Sequence, residues 1–397
     1  MFVVKYTLLL DLERKDGSSA PFLQGIMADT ENKGSGKRSM AEAAPASRPP
    51  TFGKRLARFL KRLLSVLLVT LLLVVAGLYG VMFILVKGPS PTARNLFIRS
   101  VRETSAIGFL ADLYLSPAEI AAIEAAPLTE ESVTTDASLI TINAETDATG
   151  ADPWGLVDDD GDGIIIDEVK GEGYSGFMMV VLDPSRVIMG SRTEGFGWKG
   201  YTLDQLVEHF DAVAGTNAGG FEDENGMGDG SMPDSAVVFK GQIYCGDKGT
   251  GHGFVGFDDN YILHVGLVGS QAVKDANIQY GCSFGPVLVQ NGEGVDPSLL
   301  ASGINPRTAI GQRCDGAVLM LVIDGRQVIS LGATYQDEME IMLRYGAVNA
   351  CNLDGGSSSL MYYNGAYVNN CASVIGIRAI PTSFLVLKEG ARERDGY

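Results

Sequence analysis

Histidine and cysteine are scarce in this chain: three histidines (His209, His252, His264) and five cysteines (Cys245, Cys282, Cys314, Cys351, Cys371) stand among 397 residues. No two cysteines form C-x-x-C, which argues against a Cys/His zinc site. An odd count leaves at least one thiol unpaired in a monomer, with one or two disulfides or buried free thiols both open. No G-x-S-x-G elbow occurs, and His264 alternates into an apolar strand, so serine-hydrolase chemistry is disfavoured. No phosphate-binding P-loop is present either. Gly171–Gly176 does match G-x-G-x-x-G, but FMMVVL follows, a strand where a dinucleotide site needs a helix. Repeats of 20–50 residues are absent, which removes solenoids and propellers. Positive charge is in short supply beyond residue 86, where 19 Lys/Arg face 42 Asp/Glu. A body that acidic repels phosphate backbones, so nucleic acid is excluded as a partner.

What is present begins with one long apolar run. Leu63–Val86 holds 24 residues without a charge, enough to span a ~30 Å hydrocarbon core as a helix. Lys54, Arg55, Arg58, Lys61 and Arg62 crowd its N-terminal side, whereas Lys87, Arg94, Arg99 and Arg102 follow more sparsely. The bias of basic residues predicts a cytoplasmic N-terminus and an extracytoplasmic body in a single-pass plasma-membrane protein. Residues 1–62 then form a flexible cytoplasmic tail and 63–86 the transmembrane helix. Residues 87–129 form a membrane-proximal helical stalk, with Ser116 and Pro117 opening one of its helices. Residues 130–390 form the main domain and 391–397 a tail.

Glycine is abundant, 50 residues with no triplet period, which signals turns between strands. Strands are expected at 176–182, 236–239, 261–268, 286–290, 317–323, 327–331, 360–363 and 383–387. Helices are expected over Leu203–Val213, with Thr202 as cap, and over Tyr335–Val348, with Thr334 as cap and Asp337 closing a capping box. The reading is an α+β fold with mixed or antiparallel sheets and a few helices, preceded by one N-terminal transmembrane helix.

Asp158, Asp160 and Asp162 alternate ahead of Gly163 as in the opening of a calcium loop, and Asp167 or Glu168 could close a shortened version. The twelfth position is Val169, so a complete EF-hand is not supported. No cofactor is required by the rest of the reading; a structural calcium on Asp158, Asp160, Asp162 and Asp167 stands against a plain acidic turn.

The densest motif is Asn352-Leu-Asp-Gly-Gly-Ser-Ser-Ser-Leu-Met-Tyr-Tyr-Asn-Gly365. Asp354 falls at the end of an apolar segment, glycines let backbone approach a ligand, and successive N–H groups and hydroxyls can hold an anion. Thr216-Asn-Ala-Gly-Gly-Phe221 repeats the theme of a polar residue before glycines. Arg307 (in RTAIG, 307–311) and Arg326 (in DGRQ, 324–327) sit in turn-like segments of an acidic domain, where a guanidinium can clamp phosphate.

These segments together resemble the phosphodiester glycosidase family, whose bacterial members often carry an N-terminal span and are linked to exopolysaccharide. The resemblance covers roughly residues 170–388. Ser357 stands where the family has a third glycine after the aspartate, and Asn217-Ala218-Gly219-Gly220 stands for its N-G-G. The resemblance implies hydrolysis of a sugar-1-phosphodiester, such as a GlcNAc-1-phosphodiester, in cell-envelope or exopolysaccharide glycans. On that basis Asp354 is expected as base or nucleophile and Asp324 as second carboxylate. Arg307 and Arg326, with Ser357 and Ser358, are expected on the phosphate, and Asn217 on a sugar hydroxyl. Gly219, Gly220, Thr308, Gly355 and Gly356 complete the expected substrate contacts. The expected partners are a carbohydrate phosphodiester and the bilayer. The competing reading is a non-catalytic polysaccharide-binding or assembly protein of the envelope.

Overall fold

A computed structural model describes residues 52–104, 107–125, 134–142, 152–192, 196–223, 228–245, 253–373 and 376–390. Residues 1–51 of the expected 1–62 tail, the expected tail at 391–397, and His252 lie outside these residues, while residues 52–62 are helical instead of a flexible tail. Helix α1 (Phe52–Lys87) contains the apolar run, and the chain divides within it into two units, Met1–Val69 and Thr70–Tyr397. Within the second unit, three short helices follow: α2 (Pro91–Arg102), α3 (Phe109–Asp112) and α4 (Pro117–Glu124). Ser90 caps α2 through the Ala93 N–H, and Ser116 forms a capping box with Glu119 in α4. Val86, Ile98, Val101, Ala111, Leu115, Ile120 and Ile123 give these helices an apolar core of their own.

The rest is built on three sheets whose pairings are antiparallel throughout the described residues, so the mixed alternative does not hold. The seven-stranded sheet runs in the order β1 (Ile164–Gly171), β2 (Tyr174–Val181), β13 (Val318–Ile323), β12 (Arg307–Arg313), β14 (Ala347–Leu353), β10 (Val287–Gln290) and β11 (Glu293–Gly294). A five-stranded sheet orders β16 (Ala366–Tyr367), β15 (Met361–Tyr363), β4 (Ala212–Asn217), β17 (Thr382–Leu387) and β3 (Val187–Ser191). The third orders β6 (Gln242–Tyr244), β5 (Val237–Phe239), β9 (Ile278–Ser283), β7 (Phe254–Asp258) and β8 (Leu263–Leu267). Helices α5 (Leu203–His209), α6 (Gly269–Asp275) and α7 (Tyr335–Arg344) complete the fold.

Continuous apolar runs in β2 and β13 reflect burial on both faces. Met179, Val181, Val318, Met320 and Val322 join the core shared with the two five-stranded sheets. Their alternates Met178, Val180, Leu319, Leu321 and Ile323 pack instead with Met339, Ile341 and Met342 of α7. Each of the two expected long helices stops early. Asp211 takes a left-handed conformation (φ 50°), so α5 ends at His209 and β4 starts at Ala212. Gly346 (φ 82°) stops α7 and releases β14. The G-x-G-x-x-G match at 171–176 spans the tight turn of the β1–β2 hairpin, with a strand after it as the sequence indicated. The expected strand at 327–331 is instead a tight turn, in which the Gln327 and Ser330 amides donate to each other's carbonyl oxygens (2.9 and 3.3 Å). All five cysteines are free thiols, Cys282 and Cys351 buried.

Candidate active site

Two strand ends from different sheets meet and are stitched together. The Asp354 N–H, one residue past β14, donates to the carbonyl of Ala218, one residue past β4 (2.9 Å). Asn217 completes the join: its Nδ2 donates to the Asp354 carbonyl (2.6 Å), while its Oδ1 accepts from the Thr308 hydroxyl (2.9 Å) and the Leu360 N–H (3.1 Å). Asn217 is 1% exposed, so its amide is used inside the protein and positions Asp354. The expected sugar contact gives way to that role, and Thr308, fully buried, is likewise spent on Asn217.

Around the Asp354 carboxyl stand groups from three connections: β14–β15, β4–β5 and β16–β17. Burial raises its pKa to about 7 against the stabilising hydrogen bond from Ser358; Asp234 and Asp223 push it further up and Arg378 draws it down. Asp234 accepts from the Ser235 hydroxyl (2.8 Å). Gly220 lets Asp234 approach closely, since a Cβ there would lie 2.5 Å from Asp234 Oδ2 and push that carboxylate aside. Arg378, 8% exposed, grips Asp223 with both terminal nitrogens (2.9 and 2.6 Å), and donates to Ser357 Oγ (3.1 Å) and the Gly228 carbonyl (3.0 Å). Its guanidinium also lies 5.0 Å over the Phe221 ring. Burial opposes ionisation of Asp223, yet the Arg378 bonds and the Gly228 N–H hold its carboxyl below the usual range. Arg378 Nε is buried and finds no acceptor among the described residues.

The Asp354–Ser358 turn is less open to an anion than its glycines suggest. The amide of Gly356 donates to Pro306 O (2.9 Å), and those of Ser358 and Ser359 to the carbonyls of Gly355 and Gly356 (3.2 and 3.4 Å). Gly356 (φ 64°) nonetheless allows close approach: Arg326 Nη2 lies 3.2 Å from where its Cβ would be. Arg326 also donates to Thr104 Oγ1 (2.8 Å) and Asn305 Oδ1 (3.1 Å). Partial loss of water and the Arg307 charge draw its pKa down, while Glu103 and Asp354 draw it up.

An open cleft of about 500 Å³ lined by Lys240–Ile243, Ser270 and Lys274 lies elsewhere and shares no residue with this cluster.

The comparisons with known proteins bear on this junction of strand ends. The sequence profile of the phosphodiester glycosidases matches residues 210–387, a span that holds every group just named except Thr104 and Glu103. Over that segment the chain is similar to the phosphodiester glycosidase family. The SPβ prophage-derived uncharacterized protein YomE of Bacillus subtilis (strain 168) is 30% identical over 187 residues, 46% of this chain and 29% of its own length. The chain therefore spans less than a third of that relative. Among solved structures, the zebrafish N-acetylglucosamine-1-phosphodiester α-N-acetylglucosaminidase catalytic domain, auto-inhibited by its pro-peptide, aligns with TM-score 0.49 at 18% identity. That match covers 67% of this chain and 92% of the zebrafish one. A hypothetical protein from Synechocystis aligns with TM-score 0.45 at 14% identity, over 56% and 62% of the two chains.

Within the matched segment 210–387, the expected site residues separate into two groups. Asp354, Gly219, Gly220, Gly355, Gly356, Ser357, Ser358 and Arg326 lie at or beside the junction. Arg307 and Asp324 are instead committed to other partners in this structure. Arg307 is 4% exposed, and its Nε donates to Ala333 O (3.0 Å) and its Nη2 to Gly303 O (2.6 Å) and Glu103 (2.8 Å). Its guanidinium also stacks 4.2 Å over Tyr335. Asp324 is 5% exposed and clamps the loop after β16, accepting from Asn369 Nδ2 (3.0 Å) and the Asn370 N–H (3.1 Å). The carboxylates that act on Asp354 are Asp234 and Asp223. Sequence reading missed both, along with Arg378. The available signal was the acidic, glycine-rich stretch directly after T-N-A-G-G-F, and one more arginine in an acidic body.

The acidic loop is separate from this centre. Asp158, Asp160 and Asp162 each place a carboxylate oxygen within 4.8 Å of the others. The Tyr363 hydroxyl bonds to Asp160 (3.2 Å) and Asp162 (3.0 Å). Asp167 is not with them: it lies on β1 and accepts from the Tyr345 hydroxyl.

Proposed function

We propose that the chain is a membrane-anchored hydrolase that cleaves a sugar-1-phosphodiester between the anomeric carbon and the phosphate oxygen. The observation that carries this reading is Asp354, held at a stitched strand end with its pKa lifted to about 7. A carboxylate so tuned takes a proton from water near neutral pH. The water oxygen attacks the anomeric carbon, the bond from that carbon to the phosphate oxygen breaks, and a phosphate monoester leaves with the electron pair. Such a leaving group needs little protonation, which suits a site with few histidines. Arg378, locked by Asp223, supplies cationic charge for the phosphate, with Ser357 beside it and Arg326 at the rim. Asp234 is the second carboxylate in this scheme, close against Gly220.

The apolar run within α1, exposed along its length and flanked by Arg55, Arg58, Lys61 and Arg62, supports anchoring with the N-terminus cytoplasmic and the domain outside. Glycans of the envelope or exopolysaccharide are the substrates in reach of such a placement. The Asp158, Asp160 and Asp162 carboxylates form a candidate structural calcium site.

The test is turnover. The detergent-solubilised full chain is incubated with a GlcNAc-1-phosphodiester, and the released phosphate monoester is followed by phosphorus NMR. Asp354→Asn should lower kcat by about 10²–10⁴-fold. Product formation unchanged in that variant removes Asp354 from the chemistry. Glycan binding without product from the unsubstituted chain selects the non-catalytic glycan-binding alternative.

A further inference from the structure

The turn that carries Arg326 ends in two β-branched residues that nothing among the described residues covers. Gln327–Ser330 closes on itself by paired backbone bonds, and at its tip Val328 is fully exposed and Ile329 is 77% exposed. Leu331, next along, is also exposed. Tight turns in water favour Gly, Asn, Asp and Pro, so Val-Ile at a tip is a misfit for a solvated turn. A second exposed apolar group lies on the neighbouring segment: Ile107, Phe109 and Leu113, in and around α3.

The two groups are joined through Thr104. Its hydroxyl accepts from Arg326 (2.8 Å), and its carbonyl accepts from the Ile107 N–H (3.1 Å). The α3 segment is in turn fastened to the apolar helix. The Tyr114 hydroxyl donates to the Tyr79 carbonyl (3.2 Å), and the two rings lie 5.1 Å apart. Tyr79 is eight residues before the end of α1 at Lys87, about 12 Å down the helix axis and inside the apolar run. Residues after α1 therefore fold back alongside it instead of leading straight away. Beside a bilayer-spanning helix, a segment at that level lies at the boundary between headgroups and acyl chains, where apolar and aromatic side chains are favoured.

From this continuity we infer that the Gln327–Ser330 turn, with Ile107, Phe109 and Leu113, is a second membrane contact. It seats the domain on the bilayer surface and turns the Arg326 rim of the site toward the lipid headgroups. The inference rests on the proposed anchoring of Leu63–Val86, and its test keeps the two apart.

Full chain carrying Ile329→Trp is reconstituted in phosphatidylcholine nanodiscs, with and without bromine on the acyl chains, and the emission of the native Trp154 and Trp198 is subtracted using the unsubstituted chain. Val268→Trp, exposed at the N-terminal end of α6, is the reference. The Ile329→Trp emission should lose about half its intensity in brominated discs, as expected for a ring buried 5–10 Å into the interface, and Val268→Trp should lose none. Phe109→Trp, a conservative exchange on α3, should be quenched likewise. Quenching of Ile329→Trp and Phe109→Trp no greater than the reference overturns the contact. So does cross-linking of disc-bound copies through this patch without quenching, which would assign it to a second copy. Release of the unsubstituted chain from vesicles by alkaline carbonate would overturn the anchor and the contact together. A retained chain with unquenched tryptophans overturns the contact alone.

Discussion

Replacing Asp354 with asparagine should stabilise the protein at alkaline pH while removing its activity. The reasoning starts from a carboxyl whose pKa rises from 3.8 to about 7 on folding, chiefly through burial. Between those values the folded chain keeps a proton that the unfolded chain releases, so stability falls as pH rises from about 4 to about 7. Three units at ~1.36 kcal/mol each set a ceiling of ~4 kcal/mol, and partial solvent access to the site brings the expected value to ~2 kcal/mol. Asparagine retains an oxygen to accept the Ser358 hydroxyl and never ionises. At pH 8 the variant should therefore melt above wild type by roughly 5 °C, and at pH 4 the two should coincide. Differential scanning calorimetry of both proteins in the same detergent at pH 4, 6 and 8 reads this directly. A difference independent of pH, or a variant less stable at pH 8, would refute the argument. The same titration predicts that wild-type kcat/KM climbs tenfold per pH unit below about 7 and levels off above it.

Three further outcomes follow from the same geometry. Arg378→Lys keeps the charge but loses the two-pronged grip on Asp223, so KM for the phosphodiester should rise at least about tenfold in steady-state kinetics, with a smaller effect on kcat. Asn217→Ala removes three hydrogen bonds, two of which join two sheets, and urea titration should show a loss of about 3 kcal/mol with an unchanged slope. If Asp158, Asp160 and Asp162 hold calcium, a hundredfold excess of the ion over its Kd should add about 2.7 kcal/mol to stability, and chelator should reverse it. Asp160→Asn should abolish that increment, and a melting curve indifferent to both calcium and chelator returns the loop to an acidic turn.

Asp354 was legible in the sequence because its signal is local: a carboxylate at the end of an apolar stretch, followed by glycines and serines, describes a strand end and a tight turn without any knowledge of neighbours. The same holds for the capping boxes at Ser116 and Thr334 and for the charge-free stretch Leu63–Val86, whose length alone matches a bilayer. Strands β12 and β14 were not legible as strands. Arg307, Thr308, Gln312 and Arg313 make β12 look solvated, yet all seven of its residues are buried. Tertiary partners satisfy them: Arg313 pairs with Asp152 and Asp315, Gln312 accepts from the Leu263 N–H, and Arg307 pairs with Glu103. For the same reason only the fold could tell the three arginines apart. Each could clamp an anion by chemistry, but side chains alternate across a strand, so Arg307 is turned away from the face that Thr308 shares with Asn217. Arg378 reaches Asp223 and Ser357 across 155 and 21 residues of chain, a convergence that no spacing encodes. Local pattern decided where the chain turns and which carboxylate stands at the turn; packing decided which distant charges meet it.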